Sequence, residues 1–240
     1  DQGLYDKAET LLLQGLAITE KALGPEHPDI VFSLSNLAIL YEAQGIYSKA
    51  EPLLRRGLKT QFRLIQRESP HLVLSERQTF VQSFGYDYEH AFSFAKRGTS
   101  GSNLALFSRL NRQGLLEEIE KRQAQLAALP GPQLEIAQGL RGVTQRLASM
   151  NLTEVQRENL LTKKEELERK LYRLLPDLKP RIIEVEQVAK AIPRNGALVE
   201  YQRYQPFDGT KPAGEEWAEA RYLALILKSN NKIETVDIGL

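Results

Sequence analysis

The stretch Gly3 to Leu23 returns 42 residues later as Gly45 to Ile65, with Gly, Tyr, Lys, Ala, Glu, Leu, Leu, Gly and Leu recurring at nine matching positions. Self-similarity at this period marks a supersecondary unit that cannot bury its apolar face alone and must stack on its neighbours. A chain constrained in this way folds as a helical solenoid, an architecture that binds partners more often than it catalyses.

Each copy reads as a turn followed by a helix. Gly3 and Gly45 fall where a preceding helix must end and the chain reverse, which predicts positive φ at both. Ala8, Gly15, Ala50 and Gly57 are small at helical spacing and predict close approach between neighbouring helices. Between the copies, Pro28 opens a segment with Ile30, Leu34, Leu37 and Tyr41 on one side, an amphipathic helix with proline in its first turn.

These residues resemble the tetratricopeptide repeats, specifically the 42-residue variety found in kinesin light chains and many bacterial proteins. Leu37, Ala38, Tyr41, Gly45, Tyr47, Ala50, Leu54 and Gly57 fall on that family's packing pattern, and Leu23 to Pro28 resembles its inter-repeat linker. The resemblance implies a protein or peptide partner held on the first helices of the repeats. It places Asn36 where many such repeats carry an asparagine that hydrogen-bonds a bound peptide backbone, with Ser33, Ile39 and Glu42 near the same surface. Gly3-Leu4-Tyr5 aligns with the middle of a unit, so an upstream extension is expected.

Composition narrows the remaining classes. The 240 residues are 42% hydrophobic and 26% charged, with a formal net charge of +1. That supports a sizeable core and provides little field to attract nucleic acid. No run of 18 apolar residues and no secretory leader pattern is visible, so no membrane span and a cytoplasmic setting are expected. Zero cysteines leave no thiolate nucleophile or thiolate metal site within these residues. His27, His71 and His90 lack ligand spacing, and all three are expected at the surface or in linkers. No catalytic constellation, metal or cofactor is therefore expected.

Beyond Ser69-Pro70, helical patterning resumes through 72 to 96, and Phe80, Phe84, Tyr86, Tyr88, Phe92 and Phe94 crowd together. Such a cluster fits a packing core better than an interdomain seam or a ligand platform. Arg97 to Asn103 reads as an interruption whose glycines lack the Gly-Lys-Ser/Thr ending of a phosphate loop. One helix is predicted over 104 to 129, ended by Pro130-Gly131-Pro132. A second is predicted over 133 to 148, and a third over 151 to 175 with Thr153 as N-cap. Together they suggest a helical hairpin arm.

After Pro176 and Pro180 the texture turns β-branched, with Ile182, Ile183, Val185 and Val188 leading to a turn at 192 to 196. Strands are predicted over 197 to 201, 222 to 227 and 233 to 238, the last two as a hairpin, with a polar loop over 205 to 220. Leu198-Val199-Glu200-Tyr201, Tyr204, Pro206-Phe207-Asp208, Arg221 to Ala224 and Val236 to Gly239 resemble the opening of the CHAT domain, a caspase-like module that commonly follows tetratricopeptide repeats in bacteria. That resemblance implies a cysteine protease fold whose catalytic histidine and cysteine lie further along the chain. The predicted fold is mainly α: repeats over 1 to 70, a helical extension over 71 to 180, and an incomplete α/β segment over 181 to 240 whose sheet has unpaired edges. The expected role is an interaction module that regulates such a protease, or alternatively a scaffold with no associated protease.

Overall fold

The computed structural model of the protein describes residues 2–149, 151–212 and 214–239. The fold is mainly helical with one small sheet. In chain order it runs α1 (Gln2–Leu23), α2 (Pro28–Ala43), α3 (Tyr47–Glu68), a 3-10 turn (Ser69–His71), α4 (Leu74–Gln82), α5 (Gly85–Ser93), α6 (Gly98–Arg112), α7 (Leu115–Ala127), α8 (Pro132–Leu147), α9 (Glu154–Leu174), α10 (Val185–Ala191), β1 (Ala197–Tyr204), β2 (Arg221–Lys228) and β3 (Ile233–Gly239).

The chain divides into two compact units. The first takes Asp1–Leu64, Phe84–Gln113 and Ile182–Leu240, and the second takes Ile65–Ser83 and Gly114–Arg181. The strands therefore share a unit with the repeats instead of standing apart as the sequence suggested. Leu34, Leu37, Ala38, Leu54, Leu58 and Phe62 of the repeats belong to one buried cluster with Phe92, Phe107, Leu223, Leu225 and Leu227.

Within the first unit, Pro28 starts α2, and His27 caps it by accepting the Asp29 N–H on Nδ1 at 3.2 Å. Gly45, at φ +74°, reverses the chain into α3. Gly3 does not behave the same way: it lies inside α1, because the helix already runs through the position where the repeat pattern places a turn. Gly15 also departs from expectation. It sits on an exposed face, and a Cβ there would meet nothing within 4 Å, whereas a Cβ at Gly57 would touch Leu34 and Val31 at 3.9 Å.

The stretch read as an interruption is helical. Gly98, at φ +80°, turns α5 into α6 as Gly45 turns α2 into α3. Phe94 stands four residues before Gly98 as Tyr41 stands before Gly45, and Ala91 and Phe107 match Ala38 and Leu54 in offset. All six are buried. The pair α5 and α6 is thus a third repeat-like hairpin, separated from the second by the residues that contribute to the other unit. Gly101 allows its close packing, since a Cβ there would lie 2.0 Å from the Phe94 carbonyl oxygen.

The sheet is antiparallel in the order β1-β2-β3, with Leu198 opposite Leu227 and Leu225 opposite Thr235. One face, carrying Leu223, Leu225 and Leu227, enters the core. The other leaves Val199, Tyr201, Tyr222, Val236 and Ile238 exposed. Residues 185 to 191 form α10, not a β-branched approach to a turn, because Val185 and Ala189, one helical turn apart, are both buried in the common core and α10 packs on α6. Tertiary packing here overrides β propensity.

The predicted 104 to 129 helix is two helices, α6 of the first unit and α7 of the second. Gly114, at φ +67°, separates α6 from α7, and the apolar periodicity running through both hid the break. Helices α8 and α9 form the expected hairpin, with Ala137, Leu171 and Leu175 in a small core. Thr153 caps α9 reciprocally: its Oγ1 accepts the Gln156 N–H at 3.2 Å, and its own N–H donates to Gln156 Oε1 at 3.0 Å. Arg77 is wholly buried, donating to the carbonyls of Leu72 and Pro70 and stacking on the Tyr172 ring at 4.4 Å.

Candidate functional site

Helix α2 presents an exposed face and a buried one. A helix turns about 100° per residue, so Ser33, Asn36, Ile39 and Glu42, spaced three apart, drift by about 60° at each step and sweep around half the circumference. The four do not form one surface. Asn36 is exposed with no hydrogen-bond partner among the described residues, Ser33 and Ile39 are half-buried, and Phe32, one turn before Asn36, is 69% exposed. Glu42 lies on the opposite side of that sweep, fully buried, which corrects its expected place on a partner-facing surface.

The packing residues are placed as follows. Leu37, Ala38, Tyr41, Ala50 and Leu54 are buried. Tyr47 is half-buried and meets Phe94 edge-on at 6.1 Å between centroids. Gly45 and Gly57 occupy the turn and the α2-facing side of α3.

The buried side of α2 receives α5 through polar groups. Ser35 Oγ donates to Asp87 Oδ1 at 2.5 Å, and Gln61 of α3 donates to Asp87 Oδ2. Burial pushes the Asp87 carboxyl above its ordinary value, while the Ser35 hydroxyl, nearby His90 and Gln61 act in the opposite direction. Two turns along α2 from Ser35, Glu42 Oε2 shares a 2.6 Å hydrogen bond with His90 Nε2. His90 is completely buried, not at the surface as its scattered sequence position suggested. Arg97 Nη2 lies 3.9 Å from the other Glu42 oxygen and its guanidinium covers the Tyr47 ring at 3.6 Å.

The loop between β1 and β2 seals this constellation. Phe207, 5% exposed, lies 4.3 Å from the His90 ring, 5.8 Å from Tyr86 and 4.9 Å from Trp217. Its backbone N–H donates to Ser93 Oγ at 2.6 Å. A Cβ on Gly209 would sit 3.6 Å from Glu42 Cγ, so the main chain there runs directly over the buried carboxylate. The Tyr86 phenol is pushed up to about 12, first by burial and then by the charges of Asp87, Glu216 and Glu42.

Sequence reasoning missed Glu42–His90 as a pair and Phe207 as a component. Both depend on contacts across long separations. The aromatic crowding at 80 to 94 was the available signal, and it resolves into rings that pack the third hairpin, such as Phe92 and Phe94, and Tyr86, which meets the loop. Among the described residues, no cluster of three or more His, Cys, Asp or Glu could hold a metal ion, and no helix is long and apolar enough to cross a membrane.

Residues 1–61 match the family described as tetratricopeptide repeat, whose repeats generally mediate protein–protein binding. No curated protein matches the chain.

Proposed function

We propose that the repeats bind a protein or peptide partner on the open face of α2, with Asn36 hydrogen-bonding the partner's backbone and Phe32 covering an apolar side chain. The observation that carries this reading is the pairing of a 69%-exposed phenylalanine with an amide that has no hydrogen-bond partner among the described residues. An exposed aromatic ring offers apolar contact area, and the neighbouring amide offers two donors and an acceptor to a partner's backbone. The chain supplies recognition and no catalysis, in a cytoplasmic setting, without nucleic acid or a membrane as partner. The test is to select a binder from a displayed random-peptide library and re-measure it on Asn36→Ala. At least a tenfold loss is expected, and unchanged affinity overturns the reading.

In the finer reading, the repeats are of the kinesin light chain type, and 181 to 240 open a bacterial CHAT-like module whose cysteine peptidase activity the repeats control. What supports this is the common core: Leu34 and Leu54 of the repeats lie in one cluster with Leu223 and Leu225 of β2, so a shift in one is felt by the other. Expressing the chain with its natural downstream sequence and assaying peptide cleavage with and without the repeats tests it. Repeat-dependent cleavage lost on replacing a downstream cysteine is the expected result. In the second reading the chain is a scaffold with no associated protease, and no cleavage under any condition would support it.

A further inference from the structure

The β1–β2 loop is held in the repeats as a peptide ligand would be. Its Gln205–Gly209 stretch crosses from α5 to α2: the Gln205 backbone meets the Glu89 carboxylate, the Phe207 N–H donates to Ser93, the Phe207 ring stacks on His90 and Tyr86, and Gly209 rests on Glu42. Asp208 lies within the field of Arg97, and its carboxyl is held below its ordinary value, first by the Thr210 side chain and backbone and further by Lys211 and Arg97. The repeat side of this contact therefore offers a hydroxyl and a carboxylate for main-chain N–H groups, an aromatic slot for one ring, and a guanidinium for an acidic group.

Trp217 of the same loop also meets the Tyr86 ring, at 5.3 Å between centroids. Beyond those contacts the segment is held by a narrow hairpin, in which Asp208 N–H donates to Glu216 O at 2.8 Å and Ala218 N–H to Pro206 O at 2.9 Å. Thr210 to Pro212 and Gly214-Glu215 are largely exposed around the tip. Lifting this arm exposes the Phe207 ring but leaves the β1–β2 ladder in place, since that ladder ends at the Tyr204–Arg221 pair.

We propose that Gln205–Gly209 is a built-in ligand of the second and third helical hairpins, and that a partner polypeptide carrying an aromatic residue followed by an acidic one binds the same slot by displacing it. This site is distinct from the Asn36 face. The internal segment masks it and sets its chemistry, and a partner must compete with a ligand present at high effective concentration. Free chain consequently binds such a peptide weakly until the loop is loosened.

The probe is a fluorescein-labelled peptide with the sequence of residues 204 to 210, titrated into the full chain and into Phe207→Ala. The variant is expected to bind at least tenfold more tightly than the parent, and a peptide with alanine in place of its phenylalanine is expected to lose that gain. Equal affinity for both chains, or no binding to either, overturns the proposal. Far-UV circular dichroism checks the variant. If Phe207→Ala loses the parent spectrum, Phe207→Leu decides instead, keeping bulk without ring stacking and expected to gain about threefold. Trp217 is the only tryptophan and lies 4.9 Å from Phe207, so its emission should shift to the red as the peptide displaces the loop in the parent chain. Binding without any shift places the peptide elsewhere and contradicts the proposal. Asn36→Ala should leave this peptide's affinity unchanged. A loss there would move the peptide to the open face of α2, overturning this inference while supporting the Asn36 reading.

Discussion

His90 Nε2 lies 2.6 Å from Glu42 Oε2, and neither side chain is exposed to solvent. The pair joins α2 to α5 across the interior of the first unit, beneath Phe207 and Gly209. Removing one member of a buried polar pair leaves the other unsatisfied, at a cost of about 3 kcal/mol or more. Glu42→Ala should therefore lower the urea midpoint markedly, and a double-mutant cycle with His90→Leu should show strong coupling. Additive losses would mean that the two residues act separately.

Asn36 should behave in the opposite way. It is exposed and makes no hydrogen bond among the described residues, so Asn36→Ala should change unfolding free energy by no more than about 0.5 kcal/mol. On the proposed reading its effect falls on binding. A large loss of stability measured by urea unfolding would show that the amide has a structural role.

Asp87 gives a pH signature. Its folded-state carboxyl is raised above the ordinary value of 3.8, so the native chain binds a proton there before the unfolded chain does. The contribution of this group to stability thus falls as pH rises through the raised value. Relative to Asp87→Asn, the parent should gain stability as pH is lowered from neutral, with the gain levelling off below about 4. Urea unfolding of both chains across that range measures it. A difference that is flat, or that slopes the other way, would show that Ser35 and Gln61 fully offset burial.

Two helical glycines should respond with opposite sign. At Gly15 a methyl group enters open space on α1, and Gly15→Ala should stabilise by about 0.5 to 1 kcal/mol through the helix preference for alanine. At Gly101 the same methyl would lie 2.0 Å from the Phe94 carbonyl oxygen, so Gly101→Ala should destabilise by at least about 2 kcal/mol. Thermal unfolding separates the two. A tolerated Gly101→Ala would show that the α5–α6 turn is more plastic than its packing implies.

What the sequence made legible was local. The positive φ of Gly45, the Thr153 cap and the three strands depend on patterns read within a few residues. The third hairpin was hidden because Leu37, Tyr47 and Ala50 have His90, Ser100 and Asn103 at the matching offsets, which removes the consensus while Ala91, Phe94, Gly98 and Phe107 preserve the geometry. Glu42 was assigned to the wrong side of α2 because i+3 spacing drifts around a helix. The Phe207 contact was beyond reach for another reason: Phe207 and its partner Ser93 are 114 residues apart, and loop composition carries no information about what a loop packs on.

The proposed recognition element is α2. Hydrogen–deuterium exchange on the full chain, with and without a library-selected binder, tests it most directly. Slowed exchange across residues 28 to 43 is the expected result, abolished by Asn36→Ala. Slowing confined to residues 114 to 181 would place recognition in the second unit and contradict the account.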